Sequence, residues 1–229
     1  MRYLLRLFFH LLYHQFAFAY DFVSAVVSFG HWKDWIMEVL PFIRGTRILE
    51  IGYGPGHLQR ILLDRNLVAV GIDESRQMAR LAKRRLTRFG SRFLFCGWCG
   101  NYISYHGYTQ NNLTRGRAQF LPFQNETFDT IIATFPSEYI LEQQTLSEAR
   151  RCLSNGGRFI VLPVALPKSP LLAWLFKVTQ QAPREALKIV QEKWKEPFLA
   201  SHFEVQVEIL ETQSGYLLIV IASKPSEQA

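Results

Sequence analysis

A strand-like run that passes directly into a glycine-rich loop constrains this chain more than any other feature. Residues 46–51, which include Ile48, Leu49 and Ile51, end at Gly52-Tyr53-Gly54-Pro55-Gly56, and Pro41 and Gly45 punctuate the chain just before them. Apolar, β-branched runs bounded by turn residues read as strands. Glycines after such a strand let backbone approach a ligand where any Cβ would intrude. The next segment, 57–64, reads as a helix and 67–73 as a second apolar strand. Ser75 then caps a helix that runs to Gly90. A strand, a helix and a second strand in this order form a βαβ unit, which implies two parallel strands with a helix across them.

The alternation continues with strands at 113–118, 128–134 and 158–165, and with a helix from about 138 to 153 closed by Asn155-Gly156-Gly157. This argues for a parallel, doubly wound sheet. The C-terminal end breaks the rhythm. Residues 203–210 alternate, with Phe203, Val205, Val207 and Ile209 on one side; residues 216–223 are almost wholly apolar, and only 211–215 separate the two runs. A parallel crossover needs about a dozen residues or more, so this gap forces an antiparallel hairpin. The fully apolar run suits an inner strand and the half-polar one an outer strand.

A length of 229 residues suits one α/β domain with additions. The expected division is an N-terminal helical cap over 1–42 and an α/β domain over 43–229. Two excursions interrupt that domain. Residues 91–112 carry Gly97, Gly100 and Gly107 and read as a surface insertion. Residues 166–196 carry Pro167, Pro170 and Pro183 around two helical stretches and form a candidate substrate lid.

The glycine loop excludes one cofactor class and favours another. A dinucleotide fingerprint requires glycine where this chain has His57. Glu50 would face a diphosphate unfavourably but suits the cationic amino group of a methionine moiety, which points to S-adenosylmethionine. Asp73 closes the second strand 21 residues beyond Gly52, where a carboxylate accepts hydrogen bonds from both hydroxyls of a ribose.

Four stretches then match one family in its own order: 48–56 (ILEIGYGPG), 70–78 (VGIDESRQM), 116–129 (GRAQFLPFQNETFD) and 155–162 (NGGRFIVL). On these the chain resembles the class I S-adenosylmethionine-dependent methyltransferases with a type 11 domain. The resemblance implies a seven-stranded Rossmann-like sheet of order 3-2-1-4-5-7-6, with strand 7 antiparallel and helices on both faces. It also implies that Gly52, Tyr53, Gly54 and Gly56 lie against the cofactor, that Glu50 reaches its methionine end and that Asp73 holds the ribose. Glu74 and Met78 would flank the adenosine, and Phe135 would line the floor where methyl transfer happens. The family usually places an aspartate after the glycine of its third motif. This chain has Arg117 there, which leaves adenine to the Ala118 backbone. The stretch 13–35 is similar to the opening of quinone-pathway C-methyltransferases, through Tyr20-Asp21, Ser28-Phe29-Gly30 and Trp32 or Trp35. That likeness adds Tyr20 to the cofactor set and implies a small lipophilic or aromatic acceptor.

Methyl transfer from a sulfonium is an in-line displacement, so a base is needed only if the acceptor loses a proton. Motif position offers His57, Glu138, Tyr139, Tyr20 and His31 for that role, and each has an ordinary packing or capping role as its alternative. Among metal readings, Cys96 and Cys99 have suitable spacing but no second pair, so no metal is expected. Arg76, Arg80, Arg84 and Arg88 recur at helical spacing and, with the net charge of +7, present a basic stripe. The stripe reads as a solvated face, with anionic lipid or RNA as its functional alternatives. Thr134-Phe135-Pro136-Ser137 lacks the leading amide or acid of base N-methyltransferases, which disfavours nucleic acid. Three readings therefore stand: a small-molecule methyltransferase, an RNA methyltransferase, and a cofactor-binding protein without turnover.

The three cysteines, Cys96, Cys99 and Cys152, suit a reducing compartment and a cytoplasmic protein. The uncharged run 7–20 holds 14 residues, including His10, His14 and Gln15, short of the roughly 20 apolar residues of a bilayer span. Ala17-Phe18-Ala19 resembles a signal-peptidase site, but these polar residues interrupt the apolar region that such a peptide requires. A peripheral membrane contact through the N-terminal helix or the basic stripe is the expected alternative to a span.

Overall fold

The computed structural model describes residues 30–87, 112–168 and 183–226. Elements run in the order α1 (Trp32–Met37), a 3-10 turn (Leu40–Phe42), β1 (Arg47–Ile51), α2 (His57–Asp64), β2 (Val68–Asp73), α3 (Arg76–Thr87), β3 (Asn112–Arg115) and β4 (Phe128–Thr134). A second 3-10 turn (Glu138–Leu141), α4 (Gln143–Cys152), β5 (Leu153–Pro167), α5 (Pro183–Ala200), β6 (Glu204–Glu211) and β7 (Gly215–Ser223) complete them. The seven strands form one sheet of order β3-β2-β1-β4-β5-β7-β6. β1 to β5 pair in parallel, and β7 runs antiparallel between β5 and β6. The apolar run is thus the inner strand and the half-polar run the edge, as the short connection and the patterning require.

Alternation along β1 assigns its residues to the two faces of the sheet. Leu49 and Ile51 pack with Phe128, Leu146, Ala149, Phe159 and Phe198 on one face. Ile48 packs with Trp35, Ile36, Leu58 and Leu62 on the other. Glu50 shares the parity of Ile48, and its carboxylate therefore meets α2. This one-residue alternation places the most deeply buried acid among the described residues beside the glycine loop.

Four boundaries differ from the sequence reading, the first being β3, which ends at Arg115 and not at 118. The single helix anticipated over 138–153 is a 3-10 turn and then α4, because Glu142 between them is extended (φ −66°, ψ 135°). Asn155-Gly156-Gly157 continues the sheet: the Gly156 N–H donates to the Lys224 carbonyl at 3.1 Å and the Lys224 N–H to the Gly157 carbonyl at 2.9 Å. β5 also runs to Pro167, opposite Gly215. Its proline at 163 falls where the pairing with β7 shifts register between Val161 and Val164, a bulge that needs no ladder N–H. The extended end matters for the site, since the Trp35 indole N–H donates to Ser214 Oγ at 2.9 Å and ties α1 to the β6–β7 hairpin.

The described part of 166–196 is the end of β5 and most of α5. In that helix Leu187 and Phe198 are buried, and Phe198 packs on Phe159 and Phe203, so α5 covers the sheet. The rest of the lid segment lies outside the described residues, as do 91–111 of the insertion, Cys96, Cys99 and residues 1–29 of the cap.

Candidate active site

The site forms where β1, β2 and β4 end together. Gly52 and Gly56 adopt φ +74° and +81°, conformations in which a Cβ is strained. Their surroundings explain the glycines further. A Cβ on Gly52 would lie 2.6 Å from the Tyr139 hydroxyl, and one on Gly56 would lie 3.0 Å from Ala82 Cβ and 3.2 Å from its Cα. Gly52 thus makes room for a phenol, and Gly56 lets α2 pack against α3. A cleft beside the loop is lined by Trp32, Ile36, Glu50, Gly52, Tyr53, Gly54, Pro55, His57, Leu58 and Thr134.

Glu50 is 1% exposed. Its Oε2 accepts from Gln59 Nε2 at 2.7 Å. Burial pushes its pKa up to about 8; the Gln59 hydrogen bond opposes the rise and the Asp73 charge adds to it. Asp73 organises the loop and the start of α3 at once, since its Oδ2 accepts the Gly54 N–H and its Oδ1 the Ser75 N–H, each at 2.8 Å. Ser75 Oγ in turn accepts the Met78 N–H at 3.3 Å, the cap anticipated for α3. Tyr53 is buried with an unpartnered hydroxyl, and burial, then the Asp73 charge, raises its pKa.

Other anticipated residues fall in distinct places. Met78 is fully buried and packs with Trp32 and Leu81. Glu74 and Arg117 form an exposed ion pair at 3.0 Å, so the arginine that replaces the usual aspartate engages the neighbouring acid. Ala118 is buried within the core. Phe135 holds φ +49° just beyond β4, its N–H donating to the Leu162 carbonyl at 2.7 Å. The Phe135 ring lies 4.1 Å from the Trp32 ring and 6.4 Å from that of Trp35, centroid to centroid. Glu138 is exposed, and His31 lies at the surface 3.3 Å from Asp34. Tyr20 is outside the described residues. Among the described residues no cluster of three metal-ligating side chains occurs. Cys152 is buried, and burial pushes its thiol up to about 11.

The third motif has a structural explanation. Arg151 donates to the Leu121 and Phe123 carbonyls at 3.0 and 2.7 Å, while Glu148, its partner at 2.7 Å, accepts the Leu121 N–H at 2.8 Å. Helix α4 therefore clamps the loop that leads from Ala118 into β4. Sequence reasoning passed over Gln59 as the partner of Glu50. A glutamine among Leu58, Leu62 and Leu63 on the buried side of α2 was the available signal, since such positions rarely hold an amide without a partner.

Residues 49–161 match the family model described as a methyltransferase domain. A ubiquinone/menaquinone biosynthesis C-methyltransferase of Blochmanniella floridana is 27% identical over 171 residues, covering 72% of this chain and 61% of that protein. A demethylmenaquinone methyltransferase of Symbiobacterium thermophilum is 31% identical over 176 residues, covering 73% and 63%. The chain thus spans about three-fifths of the length of these relatives. Among solved structures, an S-adenosylmethionine-dependent methyltransferase of Methanosarcina mazei matches with a TM-score of 0.54 at 17% identity, covering 83% of this chain and 98% of that one. Phosphoethanolamine N-methyltransferase 2 of Haemonchus contortus, solved with S-adenosyl-L-methionine, matches with a TM-score of 0.56 at 15% identity, covering 86% and 53%. These two likenesses show the fold, whose strand order is the one described above. The chain therefore carries a methyltransferase domain over residues 49–161, in the fold shared by these S-adenosylmethionine-dependent enzymes.

Proposed function

We propose that the chain transfers a methyl group from S-adenosylmethionine to a small lipophilic or aromatic acceptor. One observation carries the reading: a single cleft joins a buried carboxylate to an aromatic stack. Glu50, Gly52, Tyr53, Gly54 and Trp32 share that cleft, and the Trp32 ring lies on Phe135. The residues fit the cofactor. Glu50 offers a negative charge to an ammonium group, and the Asp73 carboxylate, held at the end of β2 against the glycine loop, is the acceptor type that a ribose hydroxyl needs. When bound, the cofactor supplies the electrophilic methyl group.

The chain's own residues position, shield and exchange protons. Glu50 and Asp73 fix the two ends of the cofactor, and Trp32 and Phe135 exclude water and present flat apolar surface to the acceptor. Two of the anticipated acid–base candidates lie at the loop, His57 in the lining of the cleft and Tyr139 with its hydroxyl against Gly52; both are better placed to exchange a proton with an acceptor than the exposed Glu138 or the Asp34-paired His31. The quinone-pathway names of the relatives support the same class of acceptor. No helix among the described residues is long and apolar enough to cross a membrane. A lipophilic acceptor would instead be met at a membrane face, with Arg76 and Arg80, exposed on α3, toward anionic headgroups. Incubation with methyl-labelled cofactor and separate lipid-extract and RNA fractions tests this reading: label should enter lipid-extractable material, and label confined to RNA would overturn it.

A further inference from the structure

We propose that Gln59 is a positioning residue for cofactor binding, holding the Glu50 carboxylate in a fixed, charge-bearing orientation toward the cleft. The inference rests on the reading above that Glu50 receives the cofactor's ammonium group. Gln59 is the third residue of α2 and is fully buried. A glutamine there commonly reaches back to cap the helix N-terminus. Here the cap residue is Gly56, without a side-chain cap bond, and the Gln59 amide turns to the sheet instead. Its Nε2 donates to Glu50 Oε2 at 2.7 Å and lies 3.4 Å from the Val70 carbonyl. Among the described residues Gln59 is the one hydrogen-bond donor to Glu50.

The amide is held there by close packing. A Cβ on Gly71 would come within 3.2 Å of Gln59 Nε2 and 2.8 Å of Tyr53 Cδ1, so a glycine on β2 leaves the space through which the amide reaches β1. Gln59 Oε1 is buried without a partner. A buried acceptor without a partner is unfavourable, and the fold tolerates this while directing Nε2 at the acid. An N–H donor favours the ionised carboxylate, whereas burial and the Asp73 charge favour the protonated form. Among the described residues, the other titratable or charged groups facing this region are Tyr53 from the loop, His57 from α2 and Tyr139 from the 3-10 turn after β4, with the Arg115 charge on β3 felt at Tyr53. The neighbours from α1 and from the end of β4, Trp32, Ile36 and Thr134, carry no charge.

An acid that is protonated in the free protein and ionised against a bound ammonium group must release a proton on binding. Calorimetry of S-adenosylhomocysteine binding in buffers of different ionisation heat counts those protons as a function of pH, and thermal unfolding confirms that each variant is folded. For the wild-type chain, release should fall away as pH rises through about 8, where Glu50 is already ionised. Gln59→Met removes the donor at similar volume. The pH at which release disappears should then move up by about one unit, with affinity about tenfold weaker at neutral pH. Gln59→Asn, whose shorter amide falls short of Glu50, should behave the same way, whereas 5′-methylthioadenosine, which lacks the amino group, should release no proton with any variant. Wild-type binding of S-adenosylhomocysteine without proton release would remove Glu50 from the ammonium site and the inference with it. Wild-type release with an unshifted pH profile in folded Gln59→Met would overturn the role of Gln59 alone.

Discussion

Replacing Glu50 with glutamine should stabilise the ligand-free protein and weaken its hold on the cofactor. Among the described residues no cation lies beside the carboxyl, and burial raises its pKa from 4.5 to about 8. Between those values the folded state binds a proton that the unfolded chain has released, so stability falls as pH rises across that window and the whole cost stands above it. Each unit is worth about 1.4 kcal/mol, so a shift of this size amounts to about 5 kcal/mol. Glutamine keeps the shape, still accepts from Gln59 and does not titrate. Urea unfolding of both proteins from about pH 5 to 9 measures the difference directly. The stability gained by Glu50→Gln over wild type should grow by several kcal/mol across the range, while affinity for S-adenosylhomocysteine drops about 10- to 100-fold through loss of a charged hydrogen bond. A difference in stability that stays constant with pH would refute the reasoning, because it would mean that Glu50 ionises in the folded protein as it does in the unfolded chain.

Other perturbations follow the same geometry. Asp73→Ala removes the acceptor of the Gly54 and Ser75 N–H groups; calorimetry should show affinity for S-adenosylhomocysteine lower by about 1–3 kcal/mol, and an unchanged affinity would take Asp73 out of the site. Gly56→Ala places a Cβ at φ +81° against Ala82 and should cost about 2–4 kcal/mol of stability in urea unfolding. Asp129 is pushed up by burial but pulled further down by hydrogen bonds from the Arg47 side chain and from the Arg47 and Thr46 N–H groups. Its lowered pKa contributes stability that is present above about pH 3.9 and lost as pH falls through the folded-state value. Acid unfolding should therefore show this loss in wild type and not in Asp129→Asn.

The sheet was legible because periodicity and connection length leave few topologies. The short 211–215 link forced the hairpin, and the apolar run 217–222 could only be an inner strand. Helix α2 was legible to its ends. The break at Glu142 was not, since helical spacing continues through it and only the extended backbone there shows the interruption. Strand β5 extends past 165 because its partner does, and pairing is a long-range property that local propensity does not carry. In the site, Glu50 and Asp73 were marked by their positions at strand ends. The Glu50–Gln59 bond and the approach of Tyr139 to Gly52 depend on how α2 and the 3-10 turn pack across β1, which no motif encodes. Gly56 shows the opposite limit: its place in the motif suggests a ligand, and its packing neighbour is Ala82.

Determination of the full-length chain's structure with S-adenosylhomocysteine bound tests the central claim most directly. The account predicts one ligand in the cleft beside the loop, its amino group against the Glu50 carboxylate and its ribose hydroxyls on Asp73. A ligand bound elsewhere, or bound in the cleft with a phosphate-bearing nucleotide preferred and Glu50 turned away, would contradict it.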